Sequence, residues 1–323
     1  MKRLLNFTVK LLVSGGLLCY LVASTDLAGF AAVLTRAIPA YVLLAVLFFV
    51  LSNALGAVQW YALLRAQDLT ISLRQATVLY WIGVFFNNVL LGNIGGDALR
   101  IYDVRRITGD GTGGAAATFL DRFVGLFSTC TLAMLAFATV DAVRDANLVS
   151  VVFPVWLALV AFLAIGLSRR ASGLLERLVC PLLPATVARL VVDLRQSIVV
   201  YRHRLGLLAA VWCVSLGVQL SRILVYWSAG LAVGLHAGLW NFVGFQPTAA
   251  IIAAVPISIG GLGVRENVLV QLFGSLGFEE SLALAMSLLG YASGILASLL
   301  GGLAFAVRRI ERRGEGVETG EQQ

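Results

Sequence analysis

Six stretches of this sequence, at residues 4–24, 39–64, 114–139, 149–168, 206–234 and 281–306, are apolar over the length a membrane crossing needs. A helix rises about 1.5 Å per residue and the hydrocarbon core is about 30 Å thick, so ~20 apolar residues span it. Six such stretches in 323 residues leave no room for a soluble domain able to carry an enzyme. The composition agrees: 59% of residues are hydrophobic, 13% are charged and the mean hydropathy is +0.91. A soluble chain is nearer about half apolar and a quarter charged. The expectation is an all-α polytopic membrane protein, with residues 1–310 as one transmembrane domain. Lys2-Arg3, a leucine-rich run and Ala23-Ser24 have the ingredients of a secretory signal. The apolar run from Leu4 to Ala23 is longer than a signal core, however, and further spans follow, so it reads as the first span.

Two further apolar segments are broken. Residues 77–92 are short for a crossing, carry Asn87 and Asn88, and run into Gly92-Asn93-Ile94-Gly95-Gly96-Asp97. Residues 241–277 are interrupted by Pro256 and by Gly260-Gly261-Leu262-Gly263. Backbone groups freed at such breaks must line a cavity or meet protein, because lipid offers them no partner.

The basic residues constrain the topology. If both broken segments are re-entrant, 18 of the 24 lysines and arginines fall on one face, including Arg65, Arg74, Arg100, Arg105, Arg106, seven arginines from Arg169 to Arg204, and four from Arg308 to Arg313. Arg36, Arg144 and Arg265 lie opposite, and Lys10, Arg122 and Arg222 fall inside spans. The rich face is then cytoplasmic, with both termini on the cytoplasmic side of the inner membrane. The alternative, eight full spans, moves Arg100, Arg105, Arg106 and the loops after them to inconsistent sides. A net charge of +7 arranged this way reflects topology and does not indicate nucleic acid. Between spans, Val187, Leu190, Val191, Leu194 and Ile198 recur at helical spacing, so residues 171–204 read as an amphipathic cytoplasmic loop. Residues 311–323 read as a disordered polar tail.

The broken segments match each other. Residues 93–100 are NIGGDALR and residues 258–265 are SIGGLGVR, 165 positions apart. With the charge-derived topology, the halves become inverted copies, an arrangement found in secondary transporters whose sites lie near midplane between broken helices.

Candidate site residues follow from this. A Gly-Gly pair lets backbone approach a ligand, and an arginine fork suits phosphate, which selects Asn93, Gly95, Gly96, Asp97 and Arg100, and on the other side Gly260, Gly261, Arg265 and Glu266. Asp97 and Arg100 have an alternative reading as a structural pair closing the turn. Arg222 sits in mid-span on a polar stripe with Ser215, Gln219 and Tyr226. An arginine there costs at least ~2.5 kcal/mol to insert, so it faces the bundle interior, either as a ligand group or as a structural partner of Asp121 or another acid. Asp121 and Arg122, one to two turns into their span, pair with neighbours or complete the site.

Other chemistry lacks support in the residues. Cys19, Cys130, Cys180 and Cys213 are scattered and read as small buried hydrophobes, and His203 and His236 fall in loops. A Walker A motif, a nucleophile elbow and a dinucleotide fingerprint are missing, so no cofactor, metal or ATP-driven step is expected.

The segments NVLLGNIGGDALRIY (88–102), DRFVGL (121–126) and PISIGGLGVREN (256–267) resemble the flippase-like membrane family named for the transmembrane region of lysylphosphatidylglycerol synthase. The resemblance covers about residues 5–308. It implies a lipid-handling role, because the membrane half of the two-part synthases moves aminoacylated phosphatidylglycerol between leaflets. This chain departs from that pattern by ending after its last span, so lysyl transfer is not implied. Stand-alone members are associated with other lipids, among them hopanoids and polyprenyl-linked sugars. The expected partner is a membrane lipid bearing phosphate, held by Arg100 and Arg265 at opposite mouths with Arg222 between them. The alternatives are a subunit presenting lipid to a separate lipid-modifying enzyme and a membrane-embedded transferase using Asp97 or Asp121 as base.

Overall fold

A computed structural model describes residues 33–89, 95–139, 144, 149–168, 173, 177, 192, 199–255, 258 and 261–318, and among these it is all-helical. The helices are α1 (Pro39–Ala66), α2 (Leu73–Val89), α3 (Gly95–Thr108), α4 (Gly111–Thr139), α5 (Val149–Leu167), α6 (Leu205–Val233), α7 (Leu239–Ala253), α8 (Val264–Gly274) and α9 (Glu280–Glu318). A 3-10 turn, Val200–His203, precedes α6. The chain is a polytopic α-helical membrane protein. Among the described residues four helices are long and apolar enough to cross a bilayer: α1, α4, α6 and the Glu280–Arg308 part of α9. Helix α5 is apolar but shorter. The span at 4–24 and the amphipathic positions from Val187 to Ile198 lie outside the described residues.

Sequence sets the helix ends. Pro39 occupies the first turn of α1, where its missing N–H costs nothing. Ser72 and Gln75 cap α2 reciprocally, Ser72 Oγ accepting from Gln75 N (3.2 Å) and Gln75 Oε1 from Ser72 N (3.0 Å). Asp110 Oδ1 accepts from the Thr112 and Gly113 amides at 2.8 and 2.9 Å, starting α4. Helix α6 stops at Gly234, which takes φ +86°, and the buried Leu235 donates its amide to Gly230 O (2.8 Å). Helix α9 runs to Glu318, past the point where the sequence suggests a disordered tail.

Named contacts give each helix a direction. The Ile38 amide donates to Ala232 O (2.9 Å), so α1 starts where α6 ends. At the other end of the bundle, Tyr201 Oη donates to Leu63 O (2.8 Å), Arg204 pairs with Asp68 (3.4 Å), and Arg308 grips Asp103 through two 2.7 Å bonds. Arg65, Arg74, Arg105, Arg106, Arg204 and Arg308 share that end.

The two broken segments form helical hairpins. In the first, α2 and α3 pack side by side: a Cβ on Gly96 would overlap the Gly83 carbonyl, and Asn87 Oδ1 accepts from the Gly96 amide (2.9 Å). In the second, Phe273 on α8 packs on Phe242 and Phe245 of α7 (ring centroids 4.8 and 5.3 Å), and a Cβ on Gly261 would lie 2.8 Å from the Ala253 Cβ. At about 1.5 Å per residue, helices of 17, 14, 15 and 11 residues all fall short of a full crossing. The first hairpin opens at the arginine-rich end and the second at the opposite end.

The halves correspond as units. Exchanging α1 with α6, α2 with α7, α3 with α8 and α4 with α9 leaves the pattern of helix packing unchanged: α2 packs on α9 as α7 packs on α4, and α1 packs on α6. Each helix runs opposite to its counterpart. Among the described helices α5 has no counterpart, and it packs chiefly on α4.

Candidate functional site

The tips of the hairpins meet across a cavity of about 370 Å³. Its wall includes Asn87 and Asn88 from the first tip, Ala253, Ala254 and Leu262 from the second, and four arginines: Arg100, Arg122, Arg222 and Arg265. Two long helices and the two hairpins place these arginines: Arg222 comes from the middle of α6, Arg122 from the first half of α4, Arg100 from α3 and Arg265 from the start of α8.

Arg100 is built into the protein. It is 3% exposed, donates to Asp97 Oδ1 (2.7 Å) and Asp121 Oδ2 (3.4 Å), and has its guanidinium carbon 4.9 and 4.8 Å from the Trp60 and Tyr80 ring centroids. A planar, weakly hydrated cation suits such a slot between aromatic faces. Its Nε finds no partner among the described residues. Asp97 holds a second arginine: Arg122 Nε and Nη2 reach its two oxygens at 2.8 and 2.9 Å. Asp121 also accepts from Gln59 Nε2 at 2.8 Å.

The second half repeats the device with different residues. Arg265 donates to Glu266 Oε1 through Nη2 (2.7 Å) and Nε (3.1 Å), and lies 4.8 and 6.0 Å from the Tyr291 and Tyr226 rings. Glu266, fully buried, accepts the Gly263 amide on Oε2 (2.6 Å), capping α8. Gly261 and Gly263 take φ +76° and +83°, which L side chains rarely adopt, so glycine is needed at both.

Arg222 differs from the other three. Among the described residues no carboxylate lies within ion-pair distance of it, and its hydrogen bond runs from Nε to Ser52 Oγ (3.2 Å). Asp121, the acid suggested by the sequence, is engaged by Arg100 and Gln59 instead. Asp97, Asp121 and Glu266 each neutralise an arginine from behind the wall, and none of them lines the cavity. Among the described residues the lining therefore carries four guanidinium groups and no carboxylate, which suits an anion rather than a cation.

Of the residues picked from sequence, Arg100, Arg122, Arg222 and Arg265 line the cavity, and Asp97, Asp121 and Glu266 hold them. Arg100 and Arg265 line this one cavity together with Arg222. Gly95, Gly96 and Gly261 belong to the tips, while Asn93 and Gly260 lie outside the described residues. Gln219 does not reach the cavity; its Nε2 donates to Gly125 O (3.1 Å), tying α6 to α4. Sequence reasoning missed Asn53, Trp60, Tyr80, Gln246 and Tyr291, and gave Asn87, Asn88 and Tyr226 no role. Polar residues inside an apolar run were the available signal for Asn53 and Gln246.

A second cavity, about 480 Å³, lies between α4, α5 and α6. Phe123, Phe127, Trp156, Phe162 and Trp212 wall it, with no ionic group among its described lining residues. Cys130 is buried as the sequence suggests, but Cys213 is exposed on the flank of α6. No cluster of metal-ligating side chains occurs among the described residues.

Comparison with known proteins places this architecture. The model of the family described as the lysylphosphatidylglycerol synthase TM region matches residues 7–305. A UPF0104 membrane protein of Pyrococcus horikoshii is 22% identical over 286 residues, covering 81% of this chain and 85% of the relative. A UPF0104 membrane protein of Methanothermobacter thermautotrophicus is 22% identical over 283 residues, covering 78% and 79%.

Proposed function

This chain belongs to the lysylphosphatidylglycerol synthase TM-region family, and from that premise we propose that it binds a phosphate-bearing membrane lipid and moves its headgroup across the inner membrane. The observation that carries this reading is Arg222, a mid-span guanidinium facing a cavity among three other arginines with no carboxylate partner among the described residues. Such a charge is costly to insert and is stabilised when an anion completes the site.

In this reading the hairpins are re-entrant, the first entering from the cytoplasmic face and the second from the outside, with both termini cytoplasmic. The arginine-rich end of the bundle supports that orientation. Acyl chains stay in the bilayer while the headgroup passes between the tips. The inverted halves supply two related conformations, one open to each side. Arg100 and Arg265, each held between aromatic rings, are stations on either side of Arg222.

Proteoliposomes test this. Purified protein reconstituted alone should bring a fluorescent phosphate-bearing lipid from the inner to the outer leaflet faster than empty vesicles do, as read by chemical quenching from outside. Binding without movement would favour a subunit that presents lipid to a separate lipid-modifying enzyme.

A further inference from the structure

The cavity wall contains two carboxamides with unmet hydrogen-bonding groups of opposite kind. Asn53, 1% exposed, donates its Nδ2 to Phe49 O (3.0 Å), and its Oδ1 is buried without a partner among the described residues. The Nδ2 of Asn88, at the first hairpin tip, is likewise buried without one. Both residues line the cavity beside the arginines. A buried polar group left unmet costs more than a hydrogen bond returns, so such atoms mark where a ligand or water belongs.

The two atoms ask for different things. The Asn53 oxygen needs a donor and the Asn88 nitrogen needs an acceptor. A hydroxyl supplies both, whereas a primary ammonium only donates and a quaternary ammonium does neither. Charge points the same way. An ammonium entering this cavity would meet four guanidinium groups, with Asp97, Asp121 and Glu266 already engaged behind the wall. The volume, about 370 Å³, equals roughly a dozen waters at ~30 Å³ each, enough for a phosphate and a small polyol together.

We infer that the cavity selects a phosphate monoester or diester of a neutral polyol and discriminates against phosphates carrying an ammonium group; this rests on the phosphate-site reading above. The arginines take the phosphate, and Asn53 and Asn88 read the hydroxyls. Asn53 and Asn88 are thus specificity determinants and Arg222 the affinity determinant.

The test uses the full-length protein in phosphatidylcholine nanodiscs, with affinity read by calorimetry for inorganic phosphate, glycerol 3-phosphate, myo-inositol 1-phosphate, phosphoethanolamine and phosphocholine. The polyol phosphates should bind about tenfold more tightly than inorganic phosphate, and the two ammonium compounds more weakly than it. Asn53→Ala should bring the ratio of glycerol 3-phosphate to phosphate affinity close to one. Asn88→Ala should do the same and serves if the first variant does not fold. Phosphocholine binding as well as glycerol 3-phosphate, or a ratio unmoved in both variants, overturns the selectivity while leaving a phosphate site standing. No binding of any phosphate overturns both readings. Repeating the titration with phosphatidylglycerol in the nanodisc assigns the source. Competition with glycerol 3-phosphate supports a lipid headgroup, and its absence supports a free polyol phosphate as the ligand of the same chemistry.

Discussion

Gly96 sits so close to Gly83 that any Cβ on it would overlap the Gly83 carbonyl. The overlap is with backbone, which no side-chain rotation relieves, and it lies at the tip that carries Asn87, Asn88 and Asp97. Two helices can meet this way only through glycine.

Gly96→Leu should therefore separate α2 from α3 and destabilise the protein by several kcal/mol, above the ~1–3 kcal/mol typical of overpacking. Gly261→Leu should behave similarly, because φ there is +76° and Ala253 is in the way. Gly206→Ala, where a Cβ would meet nothing within 4 Å, serves as the control and should be neutral or slightly stabilising. Melting curves of the three in detergent check this. Near-normal melting of Gly96→Leu would remove the hairpin contact from the account.

The arginines should divide by role. Arg100→Gln leaves Asp121, 7% exposed, with only Gln59 as its side-chain partner among the described residues, and removing one member of a buried pair costs about 3–5 kcal/mol. Asp97→Asn loosens both Arg100 and Arg122 and should cost at least as much as Asp121→Asn, which leaves Arg100 its 2.7 Å bond to Asp97. Chemical or thermal denaturation ranks the three. Arg100→Gln as stable as the parent would contradict the assignment of Arg100 as a built-in cation.

The direction of the hairpins can be read by labelling. Thr108 ends α3 at the arginine-rich end, and Glu280 starts α9 at the other. Single cysteines at these positions, in a background with Cys213 replaced because it is exposed, should react with an impermeant reagent from opposite sides of the membrane. Reaction from the same side would require the eight-span arrangement.

Much of this was legible in the chain. Long apolar runs located α1, α4, α6 and the Glu280–Arg308 part of α9 to within a few residues, since a membrane helix is constrained at nearly every position. The IGG repeat located the hairpin tips, because the close approach of Gly96 to Gly83 and the positive φ of Gly261 admit little else. What the sequence could not supply was pairing across the fold. Asp121 lies next to Arg122 in the chain, yet it bonds Arg100 and Gln59, 21 and 62 positions away. The aromatic slots around Arg100 and Arg265 use Trp60 and Tyr80 in one half, Tyr226 and Tyr291 in the other. Their geometry is conserved between halves while their sequence positions are not, so no motif announces them. Gln219, on the same polar stripe as Arg222, turned to a backbone carbonyl because a buried amide takes the nearest partner.

The most direct test of the account is Arg222→Gln, measured for melting temperature and for affinity to phosphatidylglycerol in mixed micelles. Arg222 bonds Ser52 and no carboxylate among the described residues, so its loss strands no buried acid. The account predicts a melting temperature within about 2 °C of the parent and at least a tenfold loss of affinity, as expected for a charged hydrogen-bonding group worth ~1.5–3 kcal/mol. Arg222→Lys should fall between, having lost the two-pronged geometry. Unchanged affinity in Arg222→Gln would contradict the account. So would a large drop in stability that the exchange Asp121→Arg with Arg222→Asp restores, since that is the behaviour of a structural ion pair.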